Sequence, residues 1–570
     1  MSTSSYLSID ISSMNTRAWL FDDQPGIYRL TAYSVTPTFL DSGSGLTAAI
    51  KRVISEVERK TDTELLFASG KFNIETTHDI PGLRGVGLTT SIGRPIRVVL
   101  VGISEKYSME PLRRLARFYN TEIVLEINLQ NEPNIAIQLE KLTNTAFDLL
   151  ILAGGVDGGP EMALRAMIGN LRLLVQLRGA TNRPQIVYIG NQALADYTKM
   201  EIDAGGDLHI GGNIQPESGR EDLSFASVAI REAIFQLRMK EFPELQELVS
   251  QPKVSFLPAE FARARMGHWL EQTQTNGKSV LQVHLEPDFA HVIAIKEGGR
   301  MGVWQNCVVD DETVDAVLAQ SDQPVQREIA AAYLANRTLH PDYMPMTIEE
   351  TSLELIWMCV RIRNLLKEMA LLHDDFNYDD RLGLMDYFEP ILLSGSSFKR
   401  LPSARHAFMV TQDAILPHGI TTLVDDNYQV LTPLGVIANF DPLLVTQVID
   451  SDIFNGLATI VNVDSPIAAG EKVLGLEMDE GYGGAREHYQ VYQSELKRFE
   501  TVPGSDLRVY LSPEPDSDIG MGLRGLGGWL NADASDLDLV VDARGRPLFL
   551  PADEQARRDL RRDWLWNLGA

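Results

Sequence analysis

Apolar and polar positions alternate along Leu7-Ser8-Ile9-Asp10-Ile11, break at Ser12-Ser13-Met14-Asn15, and resume along Thr16-Arg17-Ala18-Trp19-Leu20-Phe21-Asp22. A period of two on either side of a short hydroxyl-rich break predicts two strands joined by a tight turn, the first ending in an acid. Strand character extends over residues 1–40. Between 44 and 59 the period lengthens, and Leu46, Ile50, Val53, Ile54 and Val57 fall on one face of a helix. Residues 64–69 read as another short strand, and Pro81-Gly82-Leu83-Arg84-Gly85 as a turn.

From Arg97 the pattern changes. Buried-type strands at 97–102, 122–126, 148–153 and 185–191 alternate with helical stretches at 111–119 and 132–143. Strands alternating with helices predict a parallel sheet covered on both faces, as in flavodoxin-like units, and 85–203 is assigned to such an α/β domain. A Gly/polar connector (204–221) leads to a long amphipathic helix over 222–242. Strands return over 279–308, followed by helices near 311–320, 325–336 and 347–373. Residues 389–397 resume α/β character, and the glycine-rich last hundred residues predict a β-rich C-terminal domain.

Composition narrows the classes. A chain of 570 residues exceeds the size at which one core stops growing, so several domains are expected. A net charge of −27 argues against broad nucleic-acid or anionic-membrane binding, both of which need basic patches. It suits a soluble cytosolic protein, or one that docks basic partners. Cys307 and Cys359 form no CxxC pair, so neither a disulfide scaffold nor a thiolate zinc site is expected. The first residues lack the pattern of a signal peptide, and no apolar run is long enough to span a bilayer, which makes the cytoplasm the expected location.

Three stretches carry candidate chemistry. In the first hairpin, Ser13 and Thr16 offer donors to a phosphate, and Asp10 is placed to orient a hydrated Mg²⁺; the plain alternative is a hairpin with a polar turn. Next, Gly154, Gly155, Asp157, Gly158 and Gly159 lie at a strand-to-helix corner, where backbone can approach a ligand or partner closely and a helix N-terminus favours an anion. There Asp157 alternatively caps the helix. Near the C-terminus, Arg544 and Arg546 lie between strand-like runs, either as an anion or partner contact or as a charged hairpin turn. The last segment, 557–566, is an amphipathic helix expected to pack on the body of the protein, with docking to a partner as the alternative. No hydrolase signature is visible.

The Ala153–Glu161 run, with its Ala-Gly-Gly-Val-Asp-Gly-Gly core, and Asp542-Ala543-Arg544-Gly545-Arg546-Pro547-Leu548 resemble the glutamate mutase accessory protein family, also called MutL and unrelated to the mismatch-repair protein of that name. Residues 82–84, 188–191 and 431–435 agree in order. The resemblance implies a two-lobed actin-like (ribonuclease H-like) ATPase fold with an inserted flavodoxin-like α/β domain and a C-terminal β-rich domain. It implies lobe boundaries of 1–84, 204–278 and 279–470, with the last domain over 471–570. It also implies an association with cobalamin-dependent mutases.

The departures from that superfamily's nucleotide motifs are specific. In the first phosphate loop Ser12 replaces a glycine and Arg17 a lysine. In the second, His284 and His291 replace aspartates, and Glu286 and Pro287 replace paired glycines. Proline removes an N–H donor, and an acid within about 4 Å of a phosphate costs about 4 kcal/mol at an effective dielectric near 20. The adenosine-type loop keeps Gly395 but carries Ser396 in place of a second glycine. His284, Glu286, Asp288 and His291 carry metal-ligating side chains, but Pro287 interrupts the strand, and no metal is expected.

The expectation is a pseudo-ATPase serving as a binding, assembly or scaffold protein. It acts on a protein partner or a second copy of itself, and no cofactor, catalytic residue, nucleic acid or membrane is assigned to it. The alternatives are an ATP-dependent reactivating chaperone using Mg²⁺ and ATP, and a small-anion or metabolite binder.

Overall fold

The computed structural model describes residues 5–39, 45–74, 82–132, 134–179, 183–202, 207–273, 278–297, 299–321, 325–479, 487–500, 507–548 and 550–569. Pro81 of the expected turn, and residues 204–206 of the expected connector, lie outside them. The chain divides into two compact units, residues 1–263 with 432–447, and residues 264–431 with 448–570. The segment 432–447 thus belongs to the first unit, a correction to the expected second lobe of 279–470.

In the first unit, β1 (Ser5–Ile11) pairs antiparallel with β2 (Asn15–Gln24), which pairs antiparallel with β3 (Ile27–Pro37). On its other side β1 runs parallel to β4 (Leu83–Thr90), and β4 parallel to β10 (Val254–Pro258), giving the order β3-β2-β1-β4-β10. The predicted helix forms as Leu46–Thr61 and buries Leu46, Ile50, Val53, Ile54 and Val57 against Leu7, Ile9 and Ile11. Its apolar stripe meets one face of the sheet, and that is what holds it there. Residues 64–69 are not a strand; the region makes an isolated bridge between Leu66 and Phe72.

A second sheet in this unit is wholly parallel: β5 (Ile96–Gly102), β6 (Thr121–Asn128), β7 (Leu149–Leu152), β8 (Gln185–Tyr188) and β9 (Leu208–Ile210), in the order β6-β5-β7-β8-β9. That is the flavodoxin-like order expected from the alternating pattern. Its limits differ from 85–203. Leu83–Thr90 pairs with β1 in the first sheet, and β9 extends the inserted sheet past residue 203. The local period of Leu83–Thr90 fits either sheet, whereas Leu208–Ile210 is a three-residue strand inside the expected Gly/polar connector.

The second unit repeats the first arrangement. β11 (Val280–Leu285), β12 (Phe289–Lys296) and β13 (Gly299–Asn306) form an antiparallel meander, and β11 runs parallel to the strand Ile391–Ser394, itself parallel to Ile420–Asp425. Three antiparallel strands flanked by two parallel ones, twice in one chain, is the ribonuclease H-like duplication of the actin-like ATPase fold. Strands Asn455–Asn462, Leu539–Asp542 and Leu496–Phe499 extend the second sheet to eight. The β-rich C-terminal region is therefore shared. Lys472–Asp479, Glu487–Tyr492, Leu507–Pro513 and Gly528–Ala532 form their own sheet, while 496–499 and 539–542 join the larger one. The terminal helix Glu554–Asn567 packs as expected, with Trp564 in the core of this unit. Among the described residues no helix is long and apolar enough to cross a membrane.

Candidate functional site

The first hairpin turn is closed on itself. Ser12 N–H donates to the Asn15 carbonyl at 3.0 Å, and the Asn15 N–H donates to Ser12 Oγ at 3.1 Å. Thr16 is fully buried, with its hydroxyl 3.1 Å from that of Thr38, which in turn donates to the Ser12 carbonyl at 2.7 Å. Ser13 is exposed. Asp10 and Arg17 are register partners across β1 and β2, so their side chains share a face; both are buried, with Arg17 Nη1 3.5 Å from Asp10 Oδ2. Thr89, at the end of β4, donates to Asp10 Oδ1 at 2.7 Å. The strand-end acid therefore has a guanidinium on one oxygen and a hydroxyl on the other. A cation beside the carboxylate opposes a divalent metal there. Thr89 was not singled out from sequence, although Thr89-Thr90-Ser91 at a strand end carries the same hydroxyl signal as the turn.

In the second unit the matching corner lies between β11 and β12, where His284 and His291 are register partners. His284, Glu286 and His291 are all buried. His284 Nδ1 lies 2.8 Å from Ser394 Oγ, and its Nε2 lies 3.7 Å from Glu286 Oε1. Ser396 donates its hydroxyl to Glu286 Oε2. Arg361 Nη2 donates to the Glu286 carbonyl at 2.8 Å. Rings fill the flank: His284 stacks on Phe289 at 5.5 Å, Phe289 on Trp304 at 4.0 Å, and His291 packs against Trp304 at 5.5 Å.

This geometry brings the expected adenosine-type turn onto the altered phosphate loop. Gly395 has φ +102°, and a Cβ built on it would lie 2.3 Å from the Leu285 carbonyl oxygen, so only glycine fits. Ser396 then opens the short helix Ser396–Lys399 with its hydroxyl turned to Glu286. Pro287 is buried in the same corner. A carboxylate occupies the corner and takes a donor from the neighbouring turn. Ser394 and Arg361 join the cluster from other elements. Ser394 directly precedes the Gly395 turn, whereas Arg361 sits in helix Ile348–Leu372 with no local signal of its role. Among the described residues no group of three or more His, Cys, Asp and Glu side chains is arranged to hold a metal.

The glycine-rich corner follows β7 as predicted. Gly154, Gly155 and Gly158 adopt positive φ, and a Cβ on Gly154 would meet Ile103 at 2.8 Å. Asn191 fastens the loop by accepting from Gly158 N–H at 3.0 Å and donating to the Gly159 carbonyl at 3.2 Å. Asp157 does not cap the following helix Met162–Arg178, whose N-cap is Glu161. Instead it accepts from Gln192 N–H and Asn213 Nδ2, both at 2.8 Å. The capping alternative is thereby overturned, because the acid faces the next βα loop rather than its own helix.

Arg544 and Arg546 are not an exposed anion contact. Arg544 is fully buried, ion-paired with Asp542 at 2.9 Å and Asp413 at 2.7 Å, and lies 4.7 Å over the Trp564 ring. These two carboxylates raise its pKa further against the opposing effect of burial, and Arg544 in turn helps hold the buried Asp542 carboxyl low. Arg546 donates to the Leu382 and Leu416 carbonyls. Both arginines satisfy internal acceptors.

The family model described as MutL protein matches residues 6–285. Protein MutL of Clostridium tetanomorphum is 22% identical over 242 residues, covering 42% of this chain and 45% of that protein, so the match spans less than half of the relative. Among solved structures, the nucleotide-free acetone carboxylase is 8% identical, with 86% and 81% of the two chains covered and a TM-score of 0.35. A gluconate kinase from Lactobacillus acidophilus is 9% identical, covering 80% and 93%, with a TM-score of 0.30. The fold assignment rests on the strand order within each unit.

Proposed function

We propose that this chain, whose residues 6–285 match the MutL protein family model, is a non-hydrolysing relative of the actin-like ATPases. It works as a binding, assembly or scaffold protein related to mutase accessory proteins, with a protein partner or a second copy of itself. The observation that carries this reading is Glu286: a buried carboxylate stands in the turn between β11 and β12 and takes the hydroxyl of Ser396. A phosphate in that corner would meet a negative charge where the superfamily's pattern has glycine N–H donors, at a cost of about 4 kcal/mol for unit charges 4 Å apart at an effective dielectric of 20. Pro287 removes one of those donors outright. The Asp10–Arg17 pair works in the same direction at the first loop, since a guanidinium already occupies the acid that would organise Mg²⁺. The residues present do not fit a Mg²⁺-bound polyphosphate, and no hydrolytic step is derived through one.

The retained glycine at 395 and the acid at 10 favour the second reading, an ATP-driven reactivating factor for a cobalamin-dependent mutase. Calorimetric titration with Mg²⁺·ATP separates the two. The scaffold reading expects no saturable heat at millimolar nucleotide; a saturable isotherm with one site per chain overturns it.

A further inference from the structure

A cavity of about 1220 Å³ opens in the second unit among helices Ile348–Leu372, Ala404–Ile415 and Glu554–Asn567, and shares no lining residue with the corner around Glu286. Part of its wall is apolar, built by Leu355, Ile356, Met409, Val410, Leu550 and Leu565. Met346 and Ile348, also lining it, are 78% and 79% exposed. Large apolar side chains left in water beside a deep apolar wall are what an apolar ligand covers.

The charge of the lining is the second observation. Arg363, Arg557, Arg558, Arg561 and Arg562 face it, against Asp413 and Asp559. Both aspartates already have cation partners: Asp413 pairs with Arg544 from outside the lining, and Asp559 with Arg562. Among the described lining residues five arginines thus stand against two aspartates, in a chain whose net charge is −27. Four of these arginines come from one helix at spacings that set 557 beside 561 and 558 beside 562. Like charges at i,i+4 weaken a helix, and a cation in the first turn, here Arg557, opposes its dipole. An anion in the cavity reverses both effects.

We propose that this cavity binds an organic anion with a long apolar body, of the class of long-chain carboxylates and alkyl phosphates, its head at the arginines and its chain along Leu355, Met409 and Leu565. The volume leaves room for an apolar body well beyond the size of a bare inorganic anion. The site is independent of the nucleotide reading.

The test uses the full chain and the dye 8-anilinonaphthalene-1-sulfonate, an anion with an apolar body, beside its neutral analogue N-phenyl-1-naphthylamine. The expected result is saturable sulfonate-dye binding, displaced by palmitate or monododecyl phosphate but not by dodecanol. The neutral dye should bind at least tenfold more weakly. Leu355→Trp, which fills the cavity, and Arg561→Glu should each weaken sulfonate-dye binding about tenfold while far-UV circular dichroism stays unchanged. Equal binding of the two dyes, or affinity unmoved by Leu355→Trp, overturns the proposal. So does displacement by an acidic amphipathic peptide but by neither alkyl anion, which would make the surface a protein dock. If Arg561→Glu fails to fold, the dye pair and Leu355→Trp still decide.

Discussion

Ser396 donates its hydroxyl to the Glu286 carboxylate, tying the turn that follows strand Ile391–Ser394 to the corner that follows β11. A hydrogen bond to a charged group contributes about 1.5–3 kcal/mol, and partial exposure of Ser396 lowers that. Ser396→Ala should therefore cost about 1–2 kcal/mol in urea unfolding. A variant as stable as the wild type would mean that the bond carries no net stability.

Gly395 should tolerate no side chain. Its φ of +102° disfavours L residues, and a Cβ would sit 2.3 Å from the Leu285 carbonyl oxygen. Strain of this kind costs about 1–3 kcal/mol before the clash is added. Gly395→Ala should lose more than about 3 kcal/mol, read from chemical denaturation, or fail to accumulate as folded protein. A loss below 1 kcal/mol would show that the two turns can separate cheaply.

Arg544→Ala should be severe for a different reason. It leaves the buried Asp542 carboxylate without its guanidinium and opens a gap beside Trp564. Breaking a buried pair from one side costs about 3–5 kcal/mol. Arg544→Lys keeps the charge but not the fork that reaches both Asp542 and Asp413, so it should recover only part of the loss. Denaturant midpoints of the two variants check the ranking, and full recovery by lysine would contradict it.

Asp426 gives a pH signature. Burial pushes its carboxyl up to about 7 from 3.8, against the opposing effect of N–H donors from Val430 and Leu431. Between 3.8 and about 7 the folded state holds a proton that the unfolded chain has released. This group's contribution to stability therefore falls as pH rises through that window and is level above it. Asp426→Asn should remove a decline of up to about 4 kcal/mol between pH 4 and 7, measured as the difference between variant and wild-type unfolding energies. Parallel pH profiles would contradict the assignment.

Asn191 is the clamp of the glycine-rich corner. Asn191→Ala removes the acceptor of Gly158 N–H and the donor to the Gly159 carbonyl. It should cost about 1–3 kcal/mol and raise amide hydrogen exchange across residues 155–159. Unchanged exchange there would place the clamp elsewhere.

Much of this organisation was legible because it is local. The alternation through Leu7–Phe21 foretold β1 and β2, and the helical spacing of Leu46 to Val57 foretold the helix that covers them. The strand–helix alternation after Arg97 foretold a parallel flavodoxin-like sheet. What failed was long-range. Leu83–Thr90 carries no local mark of pairing with β1 rather than with the inserted sheet, and nothing near 432–447 signals its return to the first unit. At the site, Glu286 and Pro287 stood out because they replace glycine in a recognisable run. Arg544 misled because a charged turn and a buried ion-pair hub have the same sequence. Only the positions of Asp413 and Trp564, far along the chain, distinguish them.

The pseudo-ATPase reading requires that Glu286 and its neighbours leave no seat for nucleotide phosphates. Thermal unfolding with and without millimolar Mg²⁺·ATP, beside an Asp10→Ala control, tests it most directly, because a ligand bound to the native state alone raises its melting temperature. The account predicts coincident melts for both proteins. A rise of several degrees in the wild type that vanishes in Asp10→Ala would contradict it and establish a nucleotide-binding relative instead.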